Sequence, residues 1–319
     1  MLRALKSCLF LIFFVSAVAQ TSSDAIDPIK DLEFAKKMLN DEIHDLEAGV
    51  NHDLAEKCKE LFVDVAQIEL LEFFIFPIAI IAHELGHATA AKTLFDVRNP
   101  IQIHIGTRTP ESTPRLFSLG NMHFYKRIPW RRGLTDYGDN VYIKQNHIAY
   151  RYIYSGIRTA AGGMSAASLM YFLLSAITGY CAYCDNKKLS EITLKSFING
   201  AGPFTYIVNT KNLSYKQKRF LINATFVISL TLISHLFYGC TPYRGGDGVR
   251  IWKEYMGVTG TSLKIVHVLS ILGAWGCWAL LIKKYCDARK KLSPELSKIS
   301  VPVALASLFL MYNQLIPEL

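Results

Sequence analysis

The run Phe73-Phe74-Ile75-Phe76-Pro77-Ile78-Ala79-Ile80-Ile81-Ala82 passes without a polar residue into His83-Glu84-Leu85-Gly86-His87. A helix built from such a run belongs in a core or in lipid, where three ionisable groups in the next turn are costly unless they serve a purpose. Residues four apart share a helix face, so His83 and His87 can present two imidazoles to one Zn²⁺. Glu84 then stands beside the open coordination position as a general base. The plain alternative is a helix whose two histidines bond only to their neighbours.

Composition decides the setting of that helix. Of 319 residues, 51% are hydrophobic, and several apolar runs approach the length that crosses a bilayer. The sequence therefore predicts a polytopic membrane protein, mainly α-helical. Its net charge of +9 does not point to nucleic acid, because the basic residues lie mostly between apolar segments, where they fix topology and meet lipid headgroups.

Residues 1–19 read as a secretory signal: Arg3 and Lys6, an apolar stretch from Leu9 to Val15, then Ala17-Val18-Ala19 before Gln20. Its removal would leave the amino terminus outside. Residues 20–61 form an acidic segment, with eleven Asp and Glu against five Lys between Asp24 and Glu60. Leu32, Ala35, Leu39, Ile43, Leu46 and Val50 recur at helical spacing, which predicts an amphipathic extracytoplasmic helix. The remainder, 62–319, reads as the membrane domain.

Within it the expected spans are about 62–95, 152–184, 220–239 and 263–285, with a shorter apolar tail at 301–315. Pro77 is expected to kink the first. The connection from Arg98 to Arg151 is the most basic, which places it on the cytoplasmic side. Ile101-Gln102-Ile103-His104-Ile105 and Asn121-Met122-His123-Phe124-Tyr125 alternate in polarity. They predict a small membrane-associated β-hairpin, and a free edge at Gln102, Ile103 and His104 would capture an extended substrate segment by strand addition. The small residues Gly156, Ala160, Gly162, Gly163, Ala166 and Ala167 of the second span favour close approach of another helix. The segment 197–208, with Gly200 and Gly202-Pro203, is expected to be re-entrant or interfacial. Basic residues on both sides of the later spans leave orientation open.

A catalytic zinc takes three protein ligands and a water. Thr93 and Ala90 occupy the positions where a metzincin has its third histidine and its glycine, so that arrangement is excluded. Glu191 and Glu254 lie in polar flanks. Asp247, in Gly245-Gly246-Asp247-Gly248 after the third span, is the stronger candidate, and His235 on that span is a weaker rival.

These features together resemble the site-2 protease family of intramembrane zinc metalloproteases, over roughly residues 73–250. The resemblance implies that His83, His87 and Asp247 hold Zn²⁺ and that Glu84 is the catalytic base. It also implies membrane-protein or signal-anchor substrates; the position of His83 near the end of the first span that leads into the basic connection is what sets the expected active site toward the cytoplasmic side. The chain departs from the family pattern in reading Gly162-Gly163-Met164-Ser165-Ala166 where many relatives have Gly-Pro-x-x-Asn. It departs again in the approach to the aspartate, Pro242-Tyr243-Arg244-Gly245-Gly246. Two alternatives remain: a membrane-anchored zincin whose site lies outside the membrane, and a non-catalytic metal-binding protein of the same fold. Cys181-x-x-Cys184 stands at the expected outer end of the second span, and a disulfide from Cys58 to either cysteine is left open.

Overall fold

The computed structural model describes residues 52–95, 100–107, 111–126, 133–136, 148–186, 202–242 and 247–293. The signal segment, most of the acidic segment and the apolar tail at 301–315 lie outside the described residues. The chain divides into two compact units, Met1–Ala66 with Lys298–Leu319, and Gln67–Ser297. The histidine motif, the sheet and all the later helices belong to the second unit.

The expected helical membrane bundle is present. Four helices are long and apolar enough to cross a bilayer among the described residues. Helix α1 is His52–Phe95 and continues through Pro77. Helix α2 is Ile148–Cys184, and its many glycines are tolerated because a membrane helix is held by packing rather than by helix propensity. A short helix α3, Gly202–Asn209, occupies the segment expected to be interfacial. Helix α4 is Tyr215–Cys240 and opens on a reciprocal cap: Ser214 Oγ accepts from the Gln217 N–H while the Gln217 side chain accepts from the Ser214 N–H. A one-turn helix α5, Asp247–Val249, leads into a π-helical turn, Arg250–Tyr255. Helix α6, Gly260–Leu292, ends in Arg289, Lys290 and Lys291, which oppose its dipole.

The spanning window of α4 is 61% buried, against 28% for α1 and 17% for both α2 and α6, so α4 is the central helix of the bundle. Ala79 of α1, Met170 of α2 and Ile228 of α4 meet in one buried cluster. A polar ladder crosses the core beside it, from the Tyr285 hydroxyl to Asn223 Oδ1 at 3.0 Å and from Asn223 Nδ2 to Gln67 Oε1 at 3.0 Å. Such groups are stable in an apolar interior only when bonded to one another. On α6, by contrast, Ile265, Val268, Leu269, Leu272, Trp275 and Leu280 are exposed, as a lipid-facing surface requires.

The hairpin expectation is corrected in the number of strands and in their pairing. Strands β1 (Gln102–Ile105), β2 (Arg115–Leu119), β3 (Met122–Tyr125) and β4 (Gly133–Asp136) form one sheet in the order β2-β3-β1-β4. The hairpin is β2–β3, closed at Gly120, which has φ +58°. The two segments expected to form it, β1 and β3, lie side by side but parallel, because β2 carries the chain back between them. Ile103, Ile105 and Phe124 share one face and pack on Ile80, Ile81 and Ala88 of α1. The sheet therefore rests on α1 on either side of the histidine motif.

Candidate metal centre and its carboxylate

His83 and His87 project from one face of α1, and α5 brings Asp247 to them from 164 residues away in sequence. His83 Nε2 lies 2.8 Å from Asp247 Oδ2, His87 Nε2 lies 3.3 Å from the same oxygen, and the two Nε2 atoms are 3.1 Å apart. All three residues are buried. Two ligands ~2.0 Å from a shared tetrahedral centre stand about 3.3 Å from each other, so this triangle has the dimensions of three ligands around one ion.

The tautomer of His87 bears on whether the group fits a metal. His87 Nδ1 lies 2.7 Å from the Arg158 carbonyl oxygen of α2. A carbonyl only accepts, so Nδ1 carries the hydrogen and the Nε2 of a neutral ring is left with a lone pair. That lone pair faces a carboxylate oxygen and a second imidazole nitrogen. A metal ion bound by N and O donors would engage that lone pair together with both of those atoms. His83 Nδ1 is also buried with no hydrogen-bond partner among the described residues. The donor set thus suits a divalent metal ion.

Close backbone approach builds the rest of the cradle. A Cβ at Gly86 would collide with the Ala161 carbonyl and the Ser165 side chain, and one at Gly162 would collide with the His87 ring. The helix that approaches the small residues of the second span closely is thus the histidine helix, at these two glycines. Gly248 is constrained in the same way, since a Cβ there would run into the backbone of Thr241 at the end of α4. The turn that presents Asp247 is pressed directly onto that helix end.

His235, the rival ligand, does not join the triangle. Its ring centre lies 5.7 Å from that of His83 and 6.2 Å from that of Phe76, tilted to both. It is buried, and its Nε2 has no hydrogen-bond partner among the described residues.

Glu84 is 6% exposed and is met by β4. The register pairs Ile103 with Thr135 across β1 and β4, so Thr135 shares the face of Ile103 that looks onto α1. Its hydroxyl donates to Glu84 Oε2 at 2.7 Å and lies 3.1 Å from the Glu84 main-chain oxygen. Gly133, two residues earlier on the same face, passes so close that a Cβ there would sit 2.5 Å from Glu84 Oε1. Sequence reasoning missed both residues. A four-residue strand behind Arg131-Arg132 carries too short an alternation to be read.

The free edge expected at Gln102, Ile103 and His104 is also corrected. β1 is an inner strand, paired with β3 on one side and β4 on the other. Its backbone groups are engaged by neighbours; the Ile103 N–H, for example, donates to the Asn121 carbonyl at 2.9 Å. Ile103 belongs to the core against α1. His104 is buried on the opposite face with Nδ1 2.7 Å from the Tyr125 hydroxyl, and only Gln102 is exposed. Burial pushes the His104 imidazole below its ordinary value and the Tyr125 phenol above its own. Among the described residues β4 is paired on one side only. Cys181 and Cys184 are free thiols, and the side chain of Cys58 lies outside the described residues.

Comparison of the chain with models of protein families, with curated proteins and with solved structures returns no match.

Proposed function

We propose that the chain is an intramembrane zinc metalloprotease of the site-2 type, acting on membrane-spanning or signal-anchor substrates. One observation carries the reading: two imidazoles and a distant carboxylate converge on a single point, with the His87 lone pair turned inward by the Arg158 carbonyl. His83 lies ten residues before the Thr93 end of its span, or about 15 Å along the helix axis. That depth favours a site within the bilayer over one in a soluble chamber.

A bound Zn²⁺ would be held by His83, His87 and Asp247, and would supply the Lewis acidity that makes water a nucleophile near neutral pH. Glu84 takes the proton of the attacking water and returns it to the departing amine. β4 and α1 together keep bulk water from the Glu84 carboxylate. A substrate helix must unwind before its carbonyl can be attacked, and β4 offers an edge to which the extended segment can add. The basic connection carrying the sheet favours the cytoplasmic face for this work.

The test is metal analysis of the purified protein and its variants, alongside cleavage of membrane-embedded peptides. Wild type should hold one zinc per chain, Asp247→Ala should lose most of it, and Glu84→Gln should keep it. Cleavage should fall by about 10²-fold or more in Glu84→Gln, the usual contribution of a general base. Equal cleavage by Glu84→Gln and wild type would sink the catalytic assignment, and full zinc in Asp247→Ala would remove the third ligand.

A further inference from the structure

The carboxylate of Glu84 is held from outside its own helix, by a strand whose sequence gives no sign of it. We propose that Thr135 is a positioning residue for Glu84, and that Gly133 is the clearance that lets the carboxylate stand where Thr135 fixes it. The proposal rests on the metalloprotease reading above and adds the device that orients its base.

A glutamate side chain has three rotatable bonds, and a base that wanders among rotamers is seldom aimed at its proton. The Thr135 hydroxyl bonds Oε2 at 2.7 Å, while Oε1 lies against Gly133. Thr135 is itself 8% exposed, so its bond is shielded from competing solvent. β-branching limits its χ1 freedom, which directs the hydroxyl at one place. The strand is aimed by the sheet: β1 packs on α1 through Ile103 and Ile105, and the β1–β4 register carries Thr135 onto the same face. At Gly133 a methyl group would fall 2.5 Å from Oε1, 2.6 Å from Cγ and 2.8 Å from the carboxyl carbon. Those atoms are the movable end of a side chain, so alanine at 133 would swing the carboxylate aside without breaking the sheet.

The two positions make a pair of independent tests, Thr135→Val and Gly133→Ala, with Thr135→Ser as the conservative control. The first readout needs neither metal nor turnover: the infrared carboxyl band of Glu84, identified by subtracting the Glu84→Gln spectrum. It should shift in Thr135→Val and Gly133→Ala and stay at the wild-type position in Thr135→Ser. The second is cleavage in vesicles of a dye–quencher peptide of about 20 apolar residues interrupted by Gly-Ala-Gly, a length that spans the bilayer. There kcat should fall by about 10 to 100-fold in Thr135→Val and Gly133→Ala, the order expected for a misplaced catalytic group. KM and zinc content should hold, and Thr135→Ser should recover most of the rate. An unmoved band in Thr135→Val overturns the proposal whatever the activity, and so does a moved band with unchanged kcat. A moved band in a wild-type background that cleaves nothing would instead overturn the protease reading, with the Thr135 contact established.

Discussion

A methyl group added at Gly162 would fall on the His87 ring, whose Nδ1 is tied to the Arg158 carbonyl. The ring could then move only by giving up that bond or its place in the triangle with His83 and Asp247. Gly162→Ala should therefore weaken metal binding by about 10 to 100-fold, the usual consequence of disturbing a ligand's support. Gly163→Ala, where the added Cβ meets nothing within 4 Å, should bind as wild type; competition against a chromogenic chelator reads both. Charge at single residues matters on the sheet as well. Burial lowers the His104 imidazole, His123 and Arg115 push the same way, and Asp136 opposes them. Unfolded, the same ring titrates near 6.5, so below that pH the unfolded state takes up the proton first and the sheet loses stability; above it the full stability is present. Amide exchange across β1 and β3 should accordingly be faster at about pH 5.5 than at about pH 7.5 after correction for the intrinsic rate. In His104→Gln that difference should shrink.

At the scale of elements, long and short segments differ in how much of them can be read in advance. The four spanning helices are legible because each carries an apolar run with few competing signals; each starts several residues before the expected position, at His52, Ile148, Tyr215 and Gly260, in flanks that no hydropathy pattern marks. The histidine motif and Asp247 were legible for another reason: metal chemistry restricts residue type and spacing. The sheet was only half legible. Alternation identified β1 and β3 as strands, but nothing in either records that β2 returns the chain between them and makes their pairing parallel. β4 is shorter than one full alternation can reveal, and the contact of Thr135 with Glu84 follows only from its register. That pairing also decides what a proline in β1 would report. Placed at 103, it would remove the N–H that bonds the Asn121 carbonyl and loosen β1 from β3, so slower cleavage would reflect a damaged sheet rather than lost substrate capture. The start of α4 gives a cleaner perturbation, because Ser214→Ala removes half of the reciprocal cap. It should lower stability by about 1 kcal/mol, measurable as a reduced melting temperature in detergent.

The described residues present apolar side chains both inward and outward, as expected for a chain dissolved in lipid. The protein should stay with membranes through alkaline carbonate washing and be released only by detergent, which fractionation of expressing cells would check; release by carbonate would contradict the four spans. The candidate metal centre joins the two ends of a long stretch of chain: α1 brings His83 and His87, and 164 positions separate His83 from Asp247. What closes that distance is the Asp247 turn lying against Thr241, with no room between them for even one methyl group. An unbiased search for inactivating changes should therefore recover Gly248 as readily as the histidines. The resulting protein would have every donor atom intact and still fail to bring them to one point.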